Sequence, residues 1–532
     1  MKTWKRSLGI GHSVALATGI LLIASTARAS VSAEVGLDDL IERIGAENVP
    51  TGIGVVVGQV EAGQVGAYGP NQGNPEFAGK TFIPMSGDPG AFYHATVVGK
   101  NYYGLVTSIS PGIDTIHLYT VASGTTGWLT YDYLRTNFGS TVQPLPTPEG
   151  LKIFNNSWVG TFQNTSLDNQ ALRRADFVIN RDDLLIVNGV NNGGTNYPLM
   201  SHMYNGLSVG IMSGGHTTGD TGAAYDGPGR QKPEIVSSGD PDDVTSFTTP
   251  VVSAACAMMV ETARTEPPLA ANPNAERSVV IKAVILGGAR HRDGWTNNPD
   301  TTGPNRGVTD RPLDDIYGVD VVNVNRSHLI LTGAEQDGAA DVPASSNADW
   351  RGWDFANVDR YESRYWRFDV TDPADEVAVL ATWHRYINNG DFVIQGASAD
   401  FDLILWRVNE QNEIVTLVGD EGLPYFAGGN VVSQSDVNNL EHLYITGLEA
   451  GNYVLELRRQ DDYNTDWDVA VTWLLPEPSC GYADVNCDGT VNIDDLFAVL
   501  AAWGACDACP EDINEDGVVN IDDIFEVLGN WG

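Results

Sequence analysis

Cysteine is scarce in this sequence, with five among 532 residues. Four of the five lie between residues 480 and 532, so the long N-terminal part has to be stabilised by hydrophobic cores rather than by disulfides. Basic residues are also few: 30 Lys and Arg stand against 69 Asp and Glu, giving a formal net charge of −39. So acidic a surface repels phosphate backbones and anionic lipid headgroups, which argues against nucleic acids and membrane surfaces as partners.

Hydrophobic residues, by contrast, are sufficient for folded domains. They make up 42% of the chain, and aromatic residues 9%, which excludes global disorder. Charged residues make up only 19% and there are 58 glycines, a composition that suits β-rich, turn-rich secreted proteins better than coiled coils. At roughly 100–200 residues per domain, the length predicts two to four domains.

Residues 1–29 have the pattern of a signal peptide. Three basic residues lie among the first six, residues 14–23 are apolar, and Ala27-Arg28-Ala29 offers small residues for cleavage. The alternative, a transmembrane anchor, is disfavoured because the apolar run falls well short of the ~20 residues that span a bilayer. We therefore expect a secreted protein, extracellular or attached to a cell surface of bacterial type, with no membrane insertion after cleavage.

Residues 30–334 alternate between strand-like and helical patterns. Continuous apolar runs are typical of strands buried on both faces of a parallel sheet, whereas apolar residues at helical spacing predict packed helices. The runs that predict strands are 52–60, 115–121, 150–157 and 183–190, and those that predict helices are 36–46, 249–263 and 276–288. Their alternation predicts an α/β domain with a parallel sheet.

The pattern changes after residue 340. Short runs of alternating polar and apolar residues, separated by Asp, Asn, Gly and Pro, continue to residue 474 and predict an antiparallel β-sandwich of jelly-roll type. This region shows no catalytic constellation, so we expect it to stabilise the chain or dock substrate, with glycan binding as the alternative. A proline-containing linker at 475–479 separates it from a tail at 480–532.

The tail contains an internal repeat, in which residues 484–504 match 512–532 at a period of 28. Each copy has oxygen-bearing side chains at alternate positions, Gly at the sixth and Asp at the twelfth, followed by an apolar helix. Ca²⁺ binds six to eight such oxygens, and the glycine allows the sharp turn that lets them converge. The predicted ligands are Asp484, Asn486, Asp488, Thr490, Asn492 and Asp495 in the first loop and Asp512, Asn514, Asp516, Val518, Asn520 and Asp523 in the second, with Thr490 and Val518 offering backbone carbonyls.

The tail resembles a type I dockerin, because position twelve is Asp rather than the Glu of EF-hands and no helix is expected before either loop. The resemblance implies a small α-helical calcium-loop module that attaches a secreted enzyme to a scaffold or surface through a cohesin-type partner. The four cysteines, at 480, 487, 506 and 509, depart from the common dockerin pattern. They could form disulfides or bind zinc, and an exported module favours disulfides.

Four side chains in the α/β region can form a nucleophilic site. Glu61 follows a predicted strand, His94 lies at a predicted helix start, Asn191 follows another strand, and Ser246 begins an apolar helix. A serine hydroxyl is a poor nucleophile until a histidine removes its proton and an acid orients that histidine. An amide such as that of Asn191 can stabilise the oxyanion that forms. The chain order acid–His–Ser is the subtilisin order.

Over about residues 50–334 the chain resembles the subtilase family, in seven segments that keep the family's order. These are HATVVG (94–99), TSISPGIDTIHLY (107–119), NNSWVG (155–160), NGVNNG (188–193), QKPEIVSSG (231–239), VTSFTTPVVSAA (244–255) and YGVDVVNVNRS (317–327). The resemblance implies a serine endopeptidase that cleaves protein or peptide substrates. Three departures fall at the site: Glu61 replaces the family's Asp, and Ala95 and Val244 replace glycines.

Two hypotheses therefore stand side by side. In the first, a Glu61/His94/Ser246 triad with Asn191 as oxyanion donor hydrolyses peptide bonds. In the second, the domain is a catalytically weak or inactive scaffold that serves binding or display.

Overall fold

The structure is a computed structural model of the chain. It describes residues 31–342, 347–388, 391–409, 411, 413–478, 481–486, 490–506, 509–514 and 516–532. The predicted signal peptide at 1–29 lies outside the described residues, as do Cys480, Cys487, Asp488 and Gly489. Within the described part of the chain, no helix combines the length and apolarity needed to cross a bilayer.

The first domain is built on a seven-stranded sheet in which every neighbouring pair is parallel. The strands stand in the order β2-β3-β1-β4-β5-β6-β9. The central ones are buried on both faces, as their apolar runs predict, so the expected α/β fold is confirmed. The strands are β1 (Val56–Glu61), β2 (Thr81–Pro84), β3 (Thr115–Thr120), β4 (Leu151–Asn156), β5 (Leu185–Gly189), β6 (Leu207–Ile211) and β9 (Ile235–Ser237), with β7 (Gly219–Asp220) and β8 (Gln231–Lys232) forming a small hairpin.

Helices pack against this sheet and cover its faces. The long helix α4 is buried over most of its length and runs against β4, β5 and β6. The one cysteine of this domain, Cys256, lies in its buried core as a free thiol. The helices are α1 (Leu37–Ile44), α2 (Tyr93–Tyr103), α3 (Thr165–Asp182), α4 (Thr245–Thr265), α5 (Pro267–Ala270), α6 (Ser278–Gly287) and α7 (Val324–Thr332), with a short π-helix at Trp128–Asp132 and a 3₁₀ turn at Pro75–Phe77.

The second domain consists of two sheets that share one hydrophobic core and are antiparallel except for the pair β10–β17. A β-sandwich is therefore present, while its jelly-roll type stays a prediction. One sheet has the order β11-β20-β13-β18-β16 and the other β10-β17-β14-β19-β12, with β15 beside β14. The strands are β10 (Val308–Thr309), β11 (Arg351–Val358), β12 (Ser363–Val370), β13 (Ala374–Trp383), β14 (Phe401–Val408), β15 (Ile414–Val415), β16 (Gly428–Gly429), β17 (Val432–Ser433), β18 (Leu440–Leu448), β19 (Gly451–Arg459) and β20 (Trp467–Leu474), and a 3₁₀ turn spans Asp420–Gly422.

The two domains are packed tightly against each other. Helices α6 and α7 lie on the sheet that contains β11, β13 and β20, and one continuous core joins them. Strand β10 comes from the α/β part of the sequence yet pairs with β17 of the sandwich. Arg385 of the sandwich forms buried ion pairs with Asp176 and Asp226 of the α/β domain, at 2.6 and 3.0 Å. Such a junction favours one fixed arrangement of the domains.

The tail forms two short helices with a small two-stranded ladder beside them. The helices are α8 (Ile493–Ala501) and α9 (Ile521–Gly529), and the strands are β21 (Gly504–Ala505) and β22 (Val518–Val519). Cys506 and Cys509 are joined in a disulfide, in line with the preference for disulfides over zinc. Cys480 and Cys487 lie outside the described residues.

Candidate active site

Glu61 is the last residue of β1, at the carboxyl edge of the sheet. The chain leaves β1 towards β2 and β3 on one side, and later builds β4, β5, β6 and β9 on the other. In open α/β sheets, ligands bind in the crevice outside the carboxyl ends of the strands where the strand order reverses. Glu61 therefore lies at the position in this sheet that most favours a site, and its side chain is only 1% exposed.

His94 contacts this carboxylate directly. The histidine is the second residue of α2, and its Nδ1 lies 2.7 Å from Oε2 of Glu61. A proton on Nδ1 donated to Glu61 leaves Nε2 as the free basic nitrogen. Burial lowers the pKa of His94, but the hydrogen bond and the negative charge of Glu61 outweigh it, so the pKa lies above the usual value for histidine. The pair has the geometry of a general base with its orienting acid.

A buried relay holds the carboxylate in place. The Gln59 Nε2 group donates to Oε1 of Glu61 at 2.8 Å and to the carbonyl of Ala95 at 2.9 Å. The hydroxyl of Tyr103 donates to Oε1 of Gln59. Both Gln59 and Tyr103 are fully buried, so these hydrogen bonds form away from competing water and fix the rotamer of Glu61.

We predict that Tyr103→Phe lowers kcat/KM by roughly tenfold, because losing one hydrogen bond of the relay, ~1 kcal/mol, lets Glu61 and His94 drift from the reactive geometry. The matched control is Tyr102→Phe, whose hydroxyl, on the same helix and also buried, donates to the carbonyl of Ile153 outside the relay. Kinetics on a chromogenic peptide compare the two variants. Equal losses in both would assign Tyr103 a role in stability alone.

Ser246 lies at the start of α4, with Val244 as the N-cap residue. Its neighbour Phe247 places its ring 5.9 Å from the imidazole of His94, and Phe247 packs with Val97 and Val98 of α2. Gly239 permits this packing, since a Cβ there would lie 2.7 Å from the backbone of Phe247. Within the described residues Ser246 makes no hydrogen bond to His94. Nucleophile–base contacts are often longer in ligand-free enzymes.

The loop after β5 lies against the start of α4. Asn192 Oδ1 accepts a hydrogen bond from the backbone N–H of Thr245 at 2.8 Å, next to Ser246. Gly189 keeps β5 close to the same helix, because a Cβ there would lie 2.8 Å from Oγ1 of Thr249. The amide of Asn191 donates to the carbonyl of Thr195 at 2.9 Å. To stabilise an oxyanion, Asn191 has to exchange this hydrogen bond for one to the substrate.

A cleft of about 520 Å³ opens beside His94. Phe92 and Tyr93, which precede the histidine, form one wall, and Asp240 and Pro241, which precede α4, form another. Tyr93 is highly exposed. The cleft is within the ~300–1,000 Å³ range of small-molecule sites, and its lining contains the neighbours of His94 but none of the four candidate residues.

The four predicted residues thus meet at one edge of the sheet, two of them in direct contact. Sequence reasoning missed Gln59, Tyr103 and Asn192. Gln59 carried a usable signal: it is the polar residue two positions before Glu61 in an otherwise apolar strand, and side chains two apart share a face.

The predicted calcium loops are described in part. In the second loop the buried Asp523 accepts hydrogen bonds from the backbone of Ile513, Asn514 and Asn520, and Asp512 accepts from Asp516 and Gly517. In the first, Asp495 accepts from the backbone of Asn486 and Asn492. Asp484, Asp495, Asp512 and Asp523 are all buried, and hard oxygen donors of this kind fit a Ca²⁺ ion.

Another acidic group lies at the domain junction. Among the described residues, Glu335, Asp337 and Asp354 are the one group of three acidic side chains whose oxygens lie within 4.8 Å of one another. In the second tail loop, the oxygens of the described carboxylates of Asp512, Asp516 and Asp523 therefore do not all lie within 4.8 Å of one another. Burial and the nearby charges of Glu335 and Asp337 raise the pKa of Asp354 to about 7, although the Gly338 backbone N–H bonded to it acts in the opposite direction.

Comparison with known proteins gives distant structural likenesses. No family model matches this chain, and a search of curated proteins finds no match. A cold-adapted subtilisin-like serine proteinase is 16% identical, with 45% of this chain and 83% of that chain covered and a TM-score of 0.30. Sphericase is 15% identical, covering 55% and 98%, with a TM-score of 0.35. A serine protease of Aeromonas sobria, in complex with a chaperone, is 12% identical, covering 80% and 88%, also at 0.35. At such TM-scores, function has to be inferred from the chain's own residues.

Proposed function

We propose that this chain is a secreted serine endopeptidase of subtilisin type. The observation that carries the proposal is the 2.7 Å hydrogen bond between His94 Nδ1 and the buried Glu61, at the sheet edge where the helix of Ser246 begins. A histidine held by an acid beside a helix-start serine is the arrangement that acyl transfer requires. In this scheme Ser246 attacks the peptide carbonyl, and Nε2 of His94 takes the hydroxyl proton and later gives it to the leaving amine.

The oxyanion is stabilised by two groups. One is the side-chain amide of Asn191. The other is the backbone N–H of Ser246, which makes no hydrogen bond within the described part of the chain and lies in the first turn of α4, where the helix dipole favours negative charge. An extended peptide would lie over the edge of the sheet with part of its length in the cleft beside Phe92 and Tyr93.

Hydrolysis of a denatured, unstructured protein tests this function. We expect the secreted chain to convert it to peptides at neutral pH, followed by gel and mass spectrometry. A folded protein that leaves such substrates intact would support the second candidate, a subtilase-like scaffold without turnover. That candidate is favoured by one observation, the engagement of the Asn191 amide by Thr195.

We further propose that the tail binds two Ca²⁺ ions and attaches the enzyme to a cohesin-type partner. The second ion would be held by Asp512, Asn514, Asp516, Val518, Asn520 and Asp523, and the first by the equivalent residues from Asp484 to Asp495. Bound Ca²⁺ would neutralise the negative charges of the four buried carboxylates.

The partner proposal is supported by a duplicated apolar surface on the tail. Large apolar side chains, each 45% to 61% exposed, recur at the same positions of both repeats. The pairs are Ile493 and Ile521, Phe497 and Phe525, Leu500 and Leu528, and Trp503 and Trp531. Contiguous apolar surface of this kind marks protein interaction sites.

Calcium binding predicts a loop-specific effect. We expect the full chain to bind two Ca²⁺ ions, and Asp512→Asn to weaken one of them by roughly tenfold or more, since a carboxylate ligand is lost. The matched control is Asp522→Asn, which removes an exposed charge from the same repeat outside the ligand positions. Isothermal titration calorimetry counts the sites. A stoichiometry of zero, or equal effects of both substitutions, would contradict the proposal.

A further inference from the structure

A second cleft, of about 680 Å³, lies between the α/β domain and the sandwich. Asp183, at its α/β wall, directly follows α3, precedes β5 and pairs with Lys152 in β4 at 3.2 Å. That wall is therefore at the amino edge of the sheet, whereas Glu61 and Asn191 are at the carboxyl edge. The cleft is separate from the candidate active site and within the ~300–1,000 Å³ range of ligand sites.

The sandwich wall of the cleft is fixed by a buried arginine. Arg385 ion-pairs with Asp176 and Asp226, and its backbone N–H donates to Asn205 at 2.8 Å. The residues on either side of it, His384 and Tyr386, line the cleft. Because Arg385 is locked into the α/β domain, its two neighbours are held in position before any ligand binds.

A second buried arginine fixes the loop that forms the rim. The Arg459 guanidinium donates to the carbonyls of Tyr463 and Thr465, at 3.1 and 2.8 Å, and pairs with Asp461 at 2.9 Å. Trp467 is bound to the sandwich wall, since its Nε1 donates to the carbonyl of His384 at 2.9 Å. Hydrogen bonds thus connect the rim loop to the sandwich wall, and Arg385 connects that wall to the α/β domain.

The cleft is lined by four aromatic rings among polar side chains, those of Phe355, Tyr386, Tyr463 and Trp467. Tyr463 lies beside Trp467, with ring centroids 6.0 Å apart, and Phe355 lies under the guanidinium of Arg277. Tyr386 and Tyr463 are 59% and 43% exposed. Exposed tyrosines around a buried tryptophan offer flat apolar faces with polar rims, suited to a ligand that has both an apolar face and hydroxyls.

The charges of the cleft disfavour an anionic ligand, and its hydrogen-bonding groups suit a polar one. Asp183 is committed to Lys152 and Ser278, and Asp468 to Asn357. Within the described residues this leaves one cation, Arg277, and two anions, Asp466 and Asp468, of the lining without an ion pair, so the lining has no excess positive charge to hold an anion.

The half-buried His384 adds a neutral ring to the lining. Nε2 of His384 has no hydrogen-bond partner within the described part of the chain. Burial and the charge of Lys282 lower the pKa of His384 to about 3, so its ring is neutral and can offer one donor and one acceptor. Nε2 itself is shielded from solvent, so the neutral polar side chains of the lining that can bond to ligand hydroxyls are those of Asn180, Asn464 and Thr465.

We propose that this cleft binds a short neutral oligosaccharide, whose sugar rings stack on Tyr386 and Tyr463 and whose hydroxyls bond to the polar lining. A purely apolar ligand would leave the buried polar groups unpaired. A peptide that binds by adding a strand to a sheet needs a free strand edge. At Trp353 the outer edge of β11 is already occupied, since Gln336 donates to the Trp353 carbonyl at 2.8 Å and the Trp353 N–H donates to Ala334 at 3.2 Å.

The test uses the full-length chain carrying Ser246→Ala, so that binding is measured without turnover. The probes are neutral oligosaccharides of β-linked glucose, xylose, mannose and N-acetylglucosamine, screened on an array and titrated by calorimetry. We expect binding to at least one, and roughly tenfold weaker binding after Tyr386→Ala or Tyr463→Ala, which each remove one stacking face. The control is Tyr361→Ala, an equally exposed tyrosine of the same domain outside the cleft.

Binding that depends on both cleft tyrosines but not on Tyr361 supports the proposal. The absence of binding to every neutral probe overturns it, as does binding that both cleft variants leave unchanged. Binding of only charged oligosaccharides or of peptides to the cleft also overturns it. None of these results depends on peptidase activity, so the two proposals fail separately.

Discussion

Replacing Ser246 with alanine is expected to lower kcat by about 10⁶-fold, close to the loss seen when a serine-protease nucleophile is removed. The other hydroxyls at this helix start, those of Thr245, Thr248 and Thr249, are buried, and the last two donate to backbone carbonyls. Without Ser246 we therefore expect no acyl-enzyme to form. Oxyanion stabilisation and substrate binding remain, so a residual rate above water is expected. Peptide hydrolysis followed over days, with purified folded protein, measures it.

The matched control is Ser253→Ala, about two turns further along α4. Ser253 Oγ is buried and donates to Asn155 at 2.9 Å, so its loss affects stability without touching the site. We expect this variant to keep nearly full activity below its unfolding temperature. If Ser246→Ala and Ser253→Ala lose activity alike, the effect comes from the fold and Ser246 is not the nucleophile.

The second large effect is expected from Glu61→Gln. The amide can hold His94 in the wrong tautomer by donating to Nδ1, and turnover should fall by up to ~10⁴-fold, as with the equivalent change in other triads.

The pH profile of the Glu61→Gln variant should change as well. His94 acts as a base only when neutral, and Glu61 raises its pKa. Wild-type kcat/KM should therefore decline as the pH falls through a value above ~6.5, and in Glu61→Gln this limb should lie at lower pH.

Glu61→Asp keeps the negative charge of the side chain but shortens it by one methylene. The two carboxylate oxygens are held on different sides, Oε1 by Gln59 and Oε2 by His94. A side chain one methylene shorter cannot keep both contacts without backbone movement, so we expect a loss of about 10²-fold. An unchanged or higher rate would show that the relay from Tyr103 through Gln59 does not set the geometry.

Much of the fold could be predicted because it depends on local periodicity. The apolar runs at 52–60 and 183–190 are strands of the parallel sheet, and the helical pattern at 249–263 lies within α4. Strand β11 was not predicted, since residues 351–358 alternate weakly and contain three polar residues. The pairing of β10 with the sandwich was also missed, because two residues carry no pattern and their partner is more than a hundred positions away.

The site could be predicted in its residue types but not in its hydrogen bonds. A strand-end acid and a helix-start histidine are visible in the sequence, and the structure brings Glu61 and His94 together. Where the Asn191 amide points depends on the loop geometry at Thr195, which no motif encodes. The residues that line the cleft beside His384 come from two domains and lie far apart in the sequence. No local sequence pattern therefore predicts this cleft.

The central claim, that His94 activates Ser246 for acyl transfer, is tested most directly with a fluorophosphonate probe and peptide mapping. The probe reacts covalently with a serine whose proton is removed by a neighbouring base. We predict one adduct per chain, on Ser246, lost in Ser246→Ala and strongly slowed in Glu61→Gln. Folded wild-type protein that stays unlabelled, or that carries the adduct on another residue, would contradict the account.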